Sequence, residues 1–349
     1  MNDFKKLKVW QKAGAVIGTM ALVGGGGYAV YYTMTQGTTV TGDGAEGVAA
    51  TTLTGDSSEI TLSEGENLIS KSGIYHITGT ISNGYIHINA SDNEEVKIVL
   101  DNVSITNSNG PAIYIESNGN TYIELVGTNT IKATTTDTLK GAIHSKADLL
   151  ISGDGSLQIT SSIHGIVCKD DLEIDGGTFV IDASDDGINT NDSATFKGGS
   201  FTIKASGDGI HTDGYLEIDG GEFDVTAREG LEATYIKING GDITISASDD
   251  GVNASNQSTD YDVVVEINGG NLTISMGQGD TDGIDTNGNL YINGGTINIT
   301  GQSPFDYDGE AKYTGGTMIV NGSQTTEITN QFAGGMGGPG GQGGGRMMR

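Results

Sequence analysis

Between Leu172 and Ile299 apolar and polar side chains alternate in short runs, each closed by a glycine pair or by an acid followed by glycine. Alternation at period two puts one face in and one face out, and it predicts strands rather than helices. The runs also repeat. Leu172-Glu-Ile-Asp-Gly-Gly returns as Ala194-Thr-Phe-Lys-Gly-Gly, Leu216-Glu-Ile-Asp-Gly-Gly, Ile236-Lys-Ile-Asn-Gly-Gly, Val265-Glu-Ile-Asn-Gly-Gly and Leu290-Tyr-Ile-Asn-Gly-Gly. The first glycine of each pair stands at 176, 198, 220, 240, 269 and 294, with a degenerate copy at 315, so the period is near 22 residues. Strand composition at that period indicates a solenoid.

Aligned on the glycines, the apolar positions form columns. One runs Leu172, Ala194, Leu216, Ile236, Val265, Leu290, and another Phe179, Phe201, Phe223, Ile243, Leu272, Ile297. A short strand, a Gly-Gly corner, a second strand, an Asp-Gly corner and a third short strand make one turn whose like residues stack. The fold expected is an all-β parallel β-helix, with rungs about 4.8 Å apart and roughly a dozen rungs in about 60 Å. Residues 59–160 share the character less regularly, as in Ile86-His-Ile-Asn and Val96-Lys-Ile-Val-Leu, and read as the first part of the same helix, with a separate small β domain as the alternative. Glycine at the corners supplies positive φ.

Composition narrows the choice. The 349 residues include 58 Gly but only 3 Pro, and no every-third spacing, which excludes collagen. With a single cysteine, Cys168, no intrachain disulfide forms. The formal charge of −28, from 45 Asp+Glu against 17 Lys+Arg, excludes nucleic acid as the partner.

Much of that acidity falls at the second corner. It reads Asp185-Asp186-Gly-Ile-Asn189, Gly207-Asp208-Gly-Ile-His211, Arg228-Glu229-Gly-Leu-Glu232, Asp249-Asp250-Gly-Val-Asn253 and Thr281-Asp282-Gly-Ile-Asp285. Stacking makes one column of Asp186, Asp208, Glu229, Asp250 and Asp282, and beside it a column of Asn189, His211, Glu232, Asn253 and Asp285, both expected to face solvent along one edge. Asp-Gly is common turn chemistry, yet carboxylates at rung spacing repel by about 1 to 4 kcal/mol per pair. A divalent cation turns repulsion into coordination, and calcium, with six to eight flexible oxygen ligands, suits such a ladder best. Zinc is disfavoured because the five histidines show no paired spacing.

Ser145-Lys146-Ala-Asp148-Leu149 recurs as Cys168-Lys169-Asp170-Asp171-Leu172. It reads either as a surface ion-pair ladder or as a patch that grips an anionic polymer, with Lys146, Lys169 and His211 as candidate carbohydrate contacts. Tyr75, Tyr85, His87, Tyr114 and Tyr122 are candidates to stack on sugar rings.

At the N-terminus, Lys5, Lys6, Lys8 and Lys12 precede an uncharged stretch from Ala13 to Gly42. Residues 1–36 are expected to be a signal peptide or an uncleaved transmembrane helix with the N-terminus in the cytoplasm and the rest extracellular. Residues 37–58 read as a flexible linker, 59–333 as the β-helix and 334–349 as a Gly-rich disordered tail.

The sequence resembles a family of bacterial extracellular carbohydrate-binding domain-containing proteins over about residues 59–345. The resemblance is carried by Ile77-Thr-Gly-Thr-Ile-Ser, Val99-Leu-Asp-Asn-Val, the Lys146 and Lys169 motifs, the Asp185-Asp186-Gly-Ile corner and the Gly/Met-rich tail. It implies a right-handed, calcium-binding parallel β-helix shaped like a pectate lyase, which binds polysaccharides such as cellulose or polygalacturonate without cleaving them. Calcium ligands of the family type fall on Asp185, Asp186, Asp208, Asp249, Asp250 and Asp282. Where the family often has Gly-Lys-Asp after the first Asp-Asp-Gly-Ile, this chain has Asn189-Thr-Asn191-Asp192 and lacks that basic residue. Two other functions stay open: a calcium-dependent polysaccharide lyase with Arg228 or Lys169 as base, and a structural adhesin or filament rod.

Overall fold

The computed structural model describes residues 57–330 apart from 118, 137 and 278–280. They wind as an all-β parallel solenoid of about 11 turns at about 22 residues per turn, with no helix among the described residues. Each turn lays one strand in each of three sheets. The first holds the strands that precede the glycine pairs, such as Leu172–Ile174 and Tyr215–Ile218. The second holds those that follow them, such as Thr178–Ala183, and the third holds short strands such as Ile188–Thr190 and Ile210–Thr212. The first and second sheets have 12 strands and the third has 11.

The register is the one the sequence columns anticipate: Leu172 pairs with Ala194 and Ala194 with Leu216, while Phe179 pairs with Phe201 and Phe201 with Phe223. The early strands, from Ser58–Thr61 to Ser156–Ser161, extend the same three sheets, and they build no separate β domain.

Alternation sends the columns inward. Phe179, Phe201 and Phe223 stack at 4.8 and 4.6 Å between centroids, and Phe196 meets the edges of the last two at 5.4 and 5.5 Å. Each such ring, fully buried, contributes about 1.5 to 3 kcal/mol. Two glycine types serve the corners for different reasons. Gly221, second of its pair, has φ +105°, where an L side chain is strained. Gly209, at an Asp-Gly corner, does not have positive φ; a Cβ there would stand 2.6 Å from the Gly230 carbonyl oxygen of the next rung. The expectation that positive φ accounts for the corner glycines therefore holds at Gly-Gly, whereas close stacking of successive turns demands glycine at Asp-Gly.

The second sheet ends in a hairpin. Thr317–Val320 pairs antiparallel with Ser323–Thr325 through Asn321 and Gly322, both at positive φ. Residues 1–36, the linker through residue 56 and the tail from Gly334 lie outside the described residues. No helix among the described residues is long and apolar enough to cross a membrane.

Candidate functional site

One outward column of the third sheet runs the length of the solenoid: Leu68, His87, Tyr114, His144, Val167, Asn189, His211, Glu232, Asn253, Asp285, Asp306. Beside its acidic end runs the corner column of Asp186, Asp208, Glu229, Asp250 and Asp282. The stacking expected for both columns is present, but the solvent exposure is not. Asp186, Asp208, Glu229 and Glu232 are buried, and Asn189, His211, Asn253, Asp250, Asp282 and Asp285 are half-buried. Side chains lie across the columns and take them out of water. Arg228 spans Asp208 and Asp249, while Ser255 and Gln257, in the long connection from Ala254 to Val264, bond to Glu232 Oε1 at 3.3 and 2.9 Å.

The upper rungs carry their own cations. His211 Nδ1 lies 2.7 Å from Glu232 and 3.3 Å from Asp208, and its Nε2 lies 3.1 Å from Asp213. Burial opposes the charged ring, but these three carboxylates outweigh it and push the imidazole up to about 11. Burial likewise opposes the Glu232 carboxylate, yet contact with His211 holds it down at about 2. Arg228 donates to Asp208 at 2.9 Å and to Asp249 at 2.8 Å and pairs with Glu229, while Glu232 pairs with His211. Asp186 Oδ2 accepts from Asn189 at 2.9 Å and lies 3.2 Å from His164 Nδ1; its Oδ1 accepts the Asp208 backbone N–H at 2.9 Å. Burial works against that carboxylate, but these contacts keep it below its ordinary range. Asp185 stays exposed.

Past Arg228, which reaches Glu229 and Asp249, the lower rungs carry no such cation among the described residues. Burial, then Asp249, Asp282 and Glu229, push Asp250 up to about 6, although it accepts the Asp282 backbone N–H at 3.0 Å. Burial and the carboxylates of Asp250, Asp306, Asp282 and Asp308 push Asp285 up to about 7. The Asn253 amide donates to Glu229 at 2.8 Å, but its Oδ1 is buried without a hydrogen-bond partner. Glu229, Asp249 and Asp250 each bring an oxygen within 4.8 Å of the others. Crowded oxygens and an orphaned acceptor suit a hard divalent cation, whose charge would favour the ionised form of these carboxyls.

Lys146 and Lys169 stand exposed on consecutive rungs above this ladder, in a column that continues through Asn191 to Asp213 beside that of His211: Lys169 donates to Asn191 at 2.9 Å, and Asp213 holds His211. The ion-pair ladder with the neighbouring acids does not form this way. Lys146 lies over the Tyr114 ring and 3.9 Å from Glu116, whereas Asp148, Asp170 and Asp171 converge within 4.8 Å of one another. Burial and Asp170 raise Asp148 to about 6.

The rings of the early rungs are not free platforms. His87 stacks on Tyr114 at 5.1 Å and 16°, with Tyr85 and His144 tilted at 6.0 and 6.1 Å on either side, so these rings cover one another's faces. Tyr122 is buried and Tyr75 donates its hydroxyl to the Lys71 carbonyl.

The sequence reasoning passed over His164, Asp213 and Asp306, although each sits one period from a ladder residue: His164 is 22 before Asp186, Asp213 is 22 after Asn191, and Asp306 is 21 after Asp285. It also passed over His144, which is buried with Nδ1 unpartnered and held down at about 4 by burial and by Lys169 and Lys146.

Two comparisons with known proteins give the same family description. A family model described as carbohydrate-binding domain-containing protein matches residues 63–299 and 216–332. A carbohydrate-binding domain-containing protein of Acetivibrio thermocellus is 32% identical over 129 residues, which are 34% of this chain and 45% of that protein, so the match spans under half of the relative's length. A solved structure, described as a polysaccharide lyase-like protein from C. thermocellum in a gadolinium derivative, aligns at a TM-score of 0.41 and 24% identity, covering 74% of this chain and 88% of the other.

Proposed function

We propose that this chain, which belongs to the carbohydrate-binding domain-containing protein family, is an extracellular, calcium-dependent module that binds polysaccharide without cleaving it. Family membership carries the binding reading. The calcium reading rests on the lower rungs, where Asn253 Oδ1 stands buried and unpartnered among carboxylates. Glu229, Asp249, Asp250, Asn253, Asp282 and Asp285 are the residues that would hold the ion. Bound there, it would supply the positive charge that His211 and Arg228 supply above, and a bridge to an acidic sugar. The upper members Asp208 and Glu232 contribute less, because Arg228 and His211 already use their oxygens, and those of Asp186 accept from Asn189 and the Asp208 N–H; Glu229 and Asp249 would share theirs with Arg228.

Binding is favoured over elimination by the state of Arg228. A lyase base must accept a proton; burial works against the charged guanidinium, but Asp208, Glu229 and Asp249 outweigh it and drive its pKa still higher. Lys169, the other candidate base, donates to Asn191.

Titration of the purified chain against cellulose and polygalacturonate, with calcium or with EDTA, tests the proposal. The expected result is binding, with the acidic polymer held only when calcium is present, and no unsaturated uronate product. Failure to bind either polymer overturns the binding reading; ultraviolet-absorbing product converts it to a lyase.

A further inference from the structure

The outward face of the second sheet differs from the other two. On strands Thr128–Ala133 to Thr317–Val320 its outward positions form three registered columns made mostly of Ser, Thr, Asn and Gln. The middle column reads Thr130, Gln158, Val180, Thr202, Asp224, Thr244, Thr273, Asn298, and these side chains are exposed or half-exposed. The middle column ends at Ile319, and the charges of the face are Lys132, the cross-rung pair Asp182 and Lys204, and an acidic cluster of Glu222, Asp224 and Asp242. By contrast the first sheet is laced with ion pairs, among them Lys97 with Glu124 and Lys237 with Glu217, and the third carries the acidic ladder. At one margin of the hydroxyl face lies a shallow groove of about 590 Å³, lined by Thr226, Ser246, Ser275, Ser248 and Arg228 among others.

We infer that the hydroxyl-rich face of the second sheet is the docking surface for a neutral, ribbon-like polysaccharide lying along the solenoid axis. The inference rests on the carbohydrate-binding reading and adds the face and the charge class of the ligand. Charge selects the occupant. On a chain of −28 this is the face with few charges, so an uncharged polymer meets it without the repulsion that a polyuronate meets at the acidic columns.

Desolvation points the same way, because covering a hydroxyl that regains a hydrogen bond costs far less than covering a carboxylate. Thr presents a methyl beside each hydroxyl, so the face offers apolar and polar contact together, as a sugar ribbon does. Its χ1 is already restricted, and the sheet is rigid, so little freedom is lost on docking. Hydroxyls repeat at the rung spacing of about 4.8 Å, so many individually weak contacts can be made at once along a polymer.

The test is co-sedimentation with microcrystalline cellulose, in calcium and in EDTA, at a temperature where circular dichroism shows the chain folded. In calcium, Thr202→Arg, Thr244→Arg and Thr273→Arg together are expected to weaken wild-type binding at least tenfold, a larger loss than Lys146→Glu with Lys169→Glu produces. If the triple variant does not fold, Gln158→Arg with Asn298→Arg probes the same column and is expected to weaken binding at least fivefold. A wild type that binds no polysaccharide overturns the family-based reading. A wild type that binds cellulose but loses it only in the Lys146/Lys169 variant overturns the docking face alone. So does binding confined to polygalacturonate, or a Thr-to-Arg variant that alters the sedimentation coefficient, since that marks the face as a contact between copies.

Discussion

The outward column of the third sheet has two ends of opposite character on one backbone. Toward the N-terminus it carries rings, with His87 stacked on Tyr114 and His144 tilted against it. Toward the C-terminus it carries carboxylates and amides, from Asn189 through Glu232 to Asp306. Rings at rung spacing cover one another by stacking, and His87 pairs with Glu66 and Glu116, although His144 Nδ1 is left buried without a partner. Carboxylates at the same spacing repel, so the other end needs cations. The chain supplies them at His211 and Arg228 and then stops, leaving Asp250, Asn253 and Asp285 uncompensated. A parallel solenoid copies each position onto its neighbour and therefore amplifies whatever a column contains.

The strongest way to break the contrast is His211→Ala, which leaves Asp208 and Glu232 buried without their shared cation. A loss of about 3 to 5 kcal/mol is expected by denaturant unfolding, and added calcium should restore part of it. Next in size is a pH effect confined to the ring end. Burial depresses His144 to about 4, whereas the unfolded ring titrates near 6.5, so between those values the unfolded chain holds the extra proton. The His144 contribution to stability should therefore fall by up to about 3 kcal/mol as pH drops through that window, read as the difference between wild type and His144→Phe because the raised carboxyls of Asp250 and Asp285 act in the opposite sense. At the acidic end, calcium at a hundred times its dissociation constant should add about 2.7 kcal/mol. Melting in calcium and in EDTA reads this increment, and Asp285→Asn should remove most of it while leaving the His144 effect intact. The smallest effect is expected from Tyr114→Ala, which unstacks one ring at a loss of about 0.5 to 1.5 kcal/mol and should leave the calcium increment unchanged.

Strand order, register and core were legible because a solenoid repeats its own alignment. Once Phe179, Phe201 and Phe223 fall at equal offsets from glycine pairs, stacking follows with no long-range guess. The membership of the acidic columns was legible by the same spacing. What each carboxylate bonds to was not. Arg228 is adjacent in sequence to Glu229, yet it also reaches one rung back to Asp208 and one rung on to Asp249. Lys169 precedes two acids but turns across the rung to Asn191. Sequence spacing places a Cα on a rung; a long side chain then chooses among several rungs by charge and space.

The sequence by itself determined the coil, its period, its stacked core and the two acidic columns, because apolar alternation and corner glycine are local instructions copied turn after turn. Only the tertiary structure decided that those columns are buried or half-buried, that His211 and Arg228 neutralise part of their charge from within and that the rings cover one another's faces. It likewise left the second sheet as the face of low charge. These outcomes depend on side chains from different turns meeting across rungs, where burial and Coulomb interaction act over distances that the order of residues does not encode.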